Sequence, residues 1–173
     1  MSYALAHITR EEVLHGFADG YYCCMSGILR RKFQCDMWSV IFDRVGSIGL
    51  LARAGDKIVG QLIYMPKDFA RRIGMPRGVQ GDDLETTMVI SCVMVHHDFT
   101  NRGIASSMIG EAISFCKQRG YKRIEAYVDP RPPQEAADWI PSFSAFRKFG
   151  FALEGPAIAW ESHPESRICY LDL

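Results

Sequence analysis

This chain of 173 residues is short of several things, and each shortage narrows what it does. No run approaches the ~20 uninterrupted apolar residues that span a bilayer. The first residues, with Arg10, Glu11 and Glu12 close behind Met1, lack a secretory signal pattern. The expectation is a cytoplasmic protein with no membrane partner. A surplus of one charge is also missing: 20 basic residues balance 20 acidic ones, so no long-range field is available to hold nucleic acid. Six cysteines are too few for a disulfide scaffold, and several sit inside apolar runs, as in Ser91-Cys92-Val93, which predicts reduced and mostly buried thiols. Cys23, Cys24 and Cys35 lack the repeated spacing of a structural zinc site, so no metal is expected. No internal repeat and no low-complexity segment interrupts the chain, and its length suits one domain, as a monomer or a homodimer.

What the sequence does have is an alternation of helical and extended patterns. Thr9-Arg10-Glu11-Glu12 sets a capping threonine three residues before a glutamate, and Val13, Phe17, Tyr21 and Cys24 then recur at helical spacing. A second, short helix is expected over Cys35 to Phe42. Ile48 to Arg53 and Ile58 to Met65, joined by Ala54-Gly55-Asp56-Lys57, read as a hairpin. Pro66 to Leu84 reads as a long loop whose Lys67, Arg71, Arg72 and Arg77 form a basic, solvated surface. Thr86 to Val95 is apolar and β-branched on both faces, as in a central strand. A helix follows from Ile104 to Arg119, stopped at Gly120. Arg123 to Val128 alternates as a strand with unlike faces, placing Glu125 outside as a partner for Arg123 or Lys122. The strand–helix–strand order predicts a parallel pair with a right-handed crossover. A Pro-rich connection, Asp129 to Pro141, leads to a short helix over Ser142 to Phe149, and strand character returns at Ile168 to Leu171. The fold class is α/β with a mixed sheet.

The chemistry concentrates where the central strand passes through His96-His97-Asp98-Phe99-Thr100-Asn101-Arg102-Gly103-Ile104-Ala105 into the long helix. The first N–H groups of a helix lack internal partners and point the positive end of its dipole at an anion. Gly103 and Ala105, with no side chain or a minimal one, let a diphosphate lie against the backbone.

At these residues the chain resembles the Gcn5-related N-acetyltransferase superfamily, whose motif Arg/Gln-x-x-Gly-x-Gly/Ala reads here Thr100-Asn101-Arg102-Gly103-Ile104-Ala105, with Thr100 in place of the leading Arg/Gln. A second segment, Phe143-Ser144-Ala145-Phe146-Arg147-Lys148-Phe149-Gly150-Phe151, is similar to the family's short helix ending in Gly-Phe. The resemblance implies a central mixed sheet flanked by helices, with acetyl-CoA as co-substrate. It also implies direct attack by an amine acceptor, a small molecule or an exposed amino group, in a ternary complex. It further implies cofactor contacts from Val93 and Val95 of the strand and from Thr100, Asn101, Arg102, Gly103, Ile104, Ala105 and Ser106 of the turn. Phe146 then stands where many members carry a tyrosine acid. Glu85, ahead of the central strand, is the candidate general base, with His96 and His97 as alternatives. The acid's absence leaves a second reading, an acyl-CoA-binding regulatory module of the same fold without transfer.

Overall fold

The computed structural model describes residues 2–14, 31–72, 84–132, 140–154 and 165–173. Among them, β1 (Ala4–His7), β2 (Gly49–Ala54), β3 (Lys57–Pro66), β4 (Thr87–Val95), β5 (Arg123–Val128), β6 (Ala152–Glu154) and β7 (Arg167–Asp172) form one mixed sheet, ordered β1-β2-β3-β4-β5-β7-β6. The β4–β5 pair is parallel and the other pairs are antiparallel. The helices are α1 (Arg10–Leu14), α2 (Arg31–Val45), α3 (Lys67–Arg72), α4 (Ile104–Gln118) and α5 (Phe143–Arg147). Among the described residues no helix is long and apolar enough to cross a membrane. This is the α/β mixed-sheet architecture expected, with β4 fourth of seven strands.

Local chemistry accounts for most boundaries. The Thr9 N–H donates to Glu12 Oε2 at 2.7 Å and the Glu12 N–H to Thr9 Oγ1 at 3.2 Å, a reciprocal capping box that starts α1. The expected continuation through Phe17, Tyr21 and Cys24 lies outside the described residues, as do Arg77 and most of the Pro-rich connection. At the far end of α4, the Gly120 N–H reaches the Lys117 carbonyl and the Tyr121 N–H reaches that of Cys116, a Schellman closure around a left-handed glycine. One face of α4 packs on the sheet over Gly60, where a Cβ would stand 2.8 Å from Ile104 Cγ2. A missing side chain on β3 therefore lets the start of α4 lie close to the strands.

Four sequence expectations change. The strand β1 has no counterpart in the sequence pattern, because four residues, Ala4 and Ala6 exposed and Leu5 and His7 half-buried, are too few to read. The helix α2 is longer than Cys35 to Phe42, extending to Val45 at one end and Arg31 at the other. The expected loop after Pro66 begins with helix α3, and Lys67, assigned to a solvated surface, is only 3% exposed. β5 is buried on both faces rather than one, and Glu125, read as an exposed partner of Arg123 or Lys122, is 2% exposed with its Oε1 2.5 Å from Lys67 Nζ. A lysine pattern says nothing about depth; the ion pair that makes burial tolerable joins residues 58 positions apart. The buried free thiols do match expectation at Cys92, Cys116 and Cys169, and burial pushes Cys116 up to about 12, keeping it protonated.

Candidate cofactor and acceptor site

β4 leads straight into the turn. The His96 N–H donates to the Val59 carbonyl at 2.9 Å, the last rung against β3, and residues His97–Phe99 then make one 3₁₀ turn. Thr100 closes it with its hydroxyl donating to the His97 carbonyl at 2.9 Å, so this side chain shapes the turn. Asn101 and Gly103 are both left-handed, with φ of 60° and 80°. Left-handed residues of this kind in a tight turn can gather neighbouring N–H groups around one concavity, an anion nest. Gly103 caps α4 without any side-chain bond, and the first helical N–H to find a carbonyl is that of Ser107, 2.9 Å from Gly103 O. The N–H groups of Ile104, Ala105 and Ser106 make no backbone hydrogen bond among the described residues. A Cβ built on Gly103 meets no atom within 4 Å, so the space in front of these amides is open.

Beside the turn the sheet splits. β5 pairs with β4 only from Thr87↔Arg123 to Ile90↔Ala126, and Ser91 then bulges, so that Ile63 and Tyr64 face Cys92 and Ile90. Beyond Val128 the chain is drawn toward α5: the Asp129 N–H donates to the Pro141 carbonyl and the Phe143 N–H to the Asp129 carbonyl, at 3.0 and 2.9 Å. The buried Asp129 carboxylate is held by Arg131 through Nε and Nη2. Because His96 points its N–H at β3, period-two alternation turns those of Val93 and Val95 the other way, into the fork. A strand edge with free amides thus runs into a helix N-terminus with free amides, and the combination fits an extended ligand ending in a diphosphate.

The two faces of the fork differ. Tyr64 stacks on Phe115 of α4 and pairs through Ile90 with Ala126, so these residues share the α4 face. Glu125 and Tyr127 therefore point to the opposite face. Burial, partly offset by Lys67 and Arg123, raises the Glu125 carboxyl above the ordinary range, and burial likewise raises the Tyr127 phenol. His96 and His97 stack with ring centroids 4.4 Å apart at the end of β4.

Glu85 is not brought to the fork. It lies with Arg44, Arg119, Gly120 and Tyr121 around an open cavity of about 260 Å³ at the far end of α4. It sits in a turn two residues ahead of β4, and the six strand steps from Thr87 to Val93, at ~3.3 Å each, alone come to roughly 20 Å. Phe146 is 0% exposed and sits edge-to-face on Phe151 at 5.2 Å. Lys148, to which the sequence reading assigned no role, donates from Nζ to Ser106 Oγ on the first turn of α4. Its only advance signal was its place beside the Gly-Phe pair. The side chains of Arg71 and Arg72 lie outside the described residues.

The sequence profile of the Acetyltransferase (GNAT) family matches residues 14–151, a span that contains the fork, the turn and α5. The chain belongs to the GNAT acetyltransferase family. Comparison with curated protein sequences gives no match. Solved structures agree on the fold of this GNAT protein. YncA of Salmonella typhimurium, a putative acetyltransferase solved with acetyl-CoA, has a TM-score of 0.66 at 10% identity over 99% of this chain and 94% of its own. The PaiA N-acetyltransferase of Thermoplasma acidophilum, solved with coenzyme A, gives 0.60 at 15% identity over the whole of both chains. The ribosomal-protein-alanine N-acetyltransferase of Brucella melitensis gives 0.64 at 15% over 98% and 99%. GNAT proteins use acetyl-CoA as co-substrate, and the GNAT turn and fork described above have the shape and donors to receive it.

Proposed function

We propose that the chain acts as one N-acetyltransferase domain that moves the acetyl group of acetyl-CoA to an amine acceptor by direct attack in a ternary complex. One observation carries the reading: the β4–β5 fork after Ile90 and Ala126 opens directly onto the unpartnered first turn of α4. In this reading the amides of Arg102 to Ser106 hold the diphosphate, the edge of β4 pairs with the pantetheine arm, and the Val93 N–H stabilises charge developing on the thioester oxygen. The acceptor enters from the face of Glu125 and Tyr127, away from α4. An alkylamine with a pKa near ~10 must lose a proton before it attacks. With Glu85 before the start of β4, and roughly 20 Å of strand between that start and Val93, that proton leaves through water. A thiol with pKa near ~8.5 departs as thiolate without the tyrosine that Phe146 replaces.

The test is thiol release from acetyl-CoA over panels of polyamines, amino acids, aminoglycosides and peptides, across pH. Release with one acceptor class, rising with pH and showing no descending alkaline limb from a protein acid, is expected. Absence of acetyl-CoA binding at millimolar concentration overturns the reading. The buried Phe146 favours a second one, a coenzyme-binding module without transfer, which predicts binding but no release with any amine.

A further inference from the structure

We propose that Lys148 is a cofactor-binding residue: its ammonium joins the Ser106 hydroxyl and the free amides of α4 in holding the coenzyme's diphosphate. This rests on the reading of the turn given above, and adds a side chain from the C-cap of α5 to a cradle otherwise made of backbone.

Lys148 Nζ donates to Ser106 Oγ, which places a full positive charge at the positive end of a 15-residue helix. Cations belong at the other end of a helix, and here the charge adds to the N–H dipoles of Ile104, Ala105 and Ser106. No carboxylate among the described residues pairs with Lys148; its other neighbour is the face of Phe149, 5.5 Å from Nζ. An exposed lysine has a long, flexible stem able to carry its charge into water in many directions. This one is held where unliganded protein is worst served by it, against three unpaired donors. A local conflict of this kind points to a function, and a dianion bound in the nest resolves it. The hydroxyl completes the arrangement: Ser106 Oγ accepts from the ammonium, which leaves its own O–H to donate to the ligand. The adjoining backbone is also anchored, because Phe149, the next residue, packs 3.5 Å from the position of a Cβ on Gly110 of α4. Contact through Ser106, whose own N–H has no backbone partner among the described residues, assigns the ammonium to the diphosphate rather than to the ribose 3′-phosphate.

Calorimetry with acetyl-CoA and with acetyl-dephospho-CoA, on the parent, Lys148→Met and Lys148→Arg at two salt concentrations, tests this. Lys148→Met is expected to weaken both ligands about tenfold, the scale of a charge-assisted hydrogen bond at an exposed site, and to flatten the salt dependence. Lys148→Arg should retain most of the affinity. The unliganded Lys148→Met protein should melt no lower than the parent, because a repulsive charge has gone. Equal affinities for parent and Lys148→Met overturn the proposal, as does a loss confined to acetyl-CoA, which assigns the lysine to the 3′-phosphate. A fall in unliganded melting temperature that arginine does not restore marks a structural role and overturns it too. A parent that binds neither ligand removes the reading of the turn as well, whereas a binding parent matched by Lys148→Met leaves that reading intact.

Discussion

Replacing Gly103 by valine separates the backbone cradle from everything else the turn does, provided the conformational penalty is measured by itself. At φ 80° a residue with a Cβ is strained by ~1–2 kcal/mol, while a Cβ at this position has no protein contact within 4 Å. Gly120 supplies the control. It is also left-handed, at φ 78°, and a Cβ there likewise meets nothing within 4 Å, but it lies at the other end of α4. Gly103→Val and Gly120→Val should therefore lower the melting temperature similarly, by about 2–8 °C at ~2–4 °C per kcal/mol for a chain of this size. Only at Gly103 does the isopropyl group project into the space the diphosphate needs. Losing one or two amide bonds to a charged group, at ~1.5–3 kcal/mol each, weakens acetyl-CoA binding by roughly 10- to 10,000-fold. Thr100→Ala removes the hydroxyl bond to the His97 carbonyl but leaves every amide in place, including the Thr100 N–H bond to that same carbonyl, so its effect is expected to stay within a few-fold. Calorimetry with acetyl-CoA on folded variants decides. If Gly103→Val binds as tightly as Gly120→Val while Thr100→Ala loses affinity, side chains and not the backbone hold the cofactor, and the argument fails.

Glu85→Gln should leave the rate of thiol release within about twofold of the parent, because a general base must lie within hydrogen-bond reach of the proton or one water away; a tenfold fall, with acetyl-CoA affinity unchanged, would restore Glu85 as the base. Phe146→Tyr puts a hydroxyl into a fully buried ring position. It is expected to cost ~1–3 kcal/mol of stability without raising turnover, whereas faster turnover at full stability would show the ring edge facing the leaving sulfur. Lys67→Met removes the ammonium from a buried carboxylate and should cost ~3–5 kcal/mol near neutral pH. The loss should shrink on acidification: the folded Glu125 carboxyl already titrates above its ordinary 4.5 and rises further without its partner, so stability is fully present below that value and is lost as pH climbs through the raised one. Equal losses at pH 5 and pH 8, measured by denaturant unfolding, would contradict this assignment.

Sequence alone determined the features that depend on near neighbours. The capping box at Thr9, the Gly55 hairpin and the glycines that start and stop α4 each follow from a few adjacent residues. So does the likeness of the Thr100–Ala105 turn and the Phe143–Phe151 segment to a family whose profile matches residues 14–151. Only tertiary structure decided depth and direction. Lys67 and Glu125 looked like surface charges because nothing local distinguishes a buried ion pair from a solvated one. The fork needed both the bulge at Ser91 and the pull of Pro141 and Phe143 on the strand beyond Val128. Glu85 was placed by its nearness to the central strand in sequence, and the length of that strand set it at the wrong end for the turn. Lys148 became visible only when α5 packed on α4 and set its ammonium on Ser106. Periodicity and short motifs report on a residue and its next few neighbours, whereas burial, strand separation and the pairing of distant charges are properties of the assembled sheet and the helices that cover it.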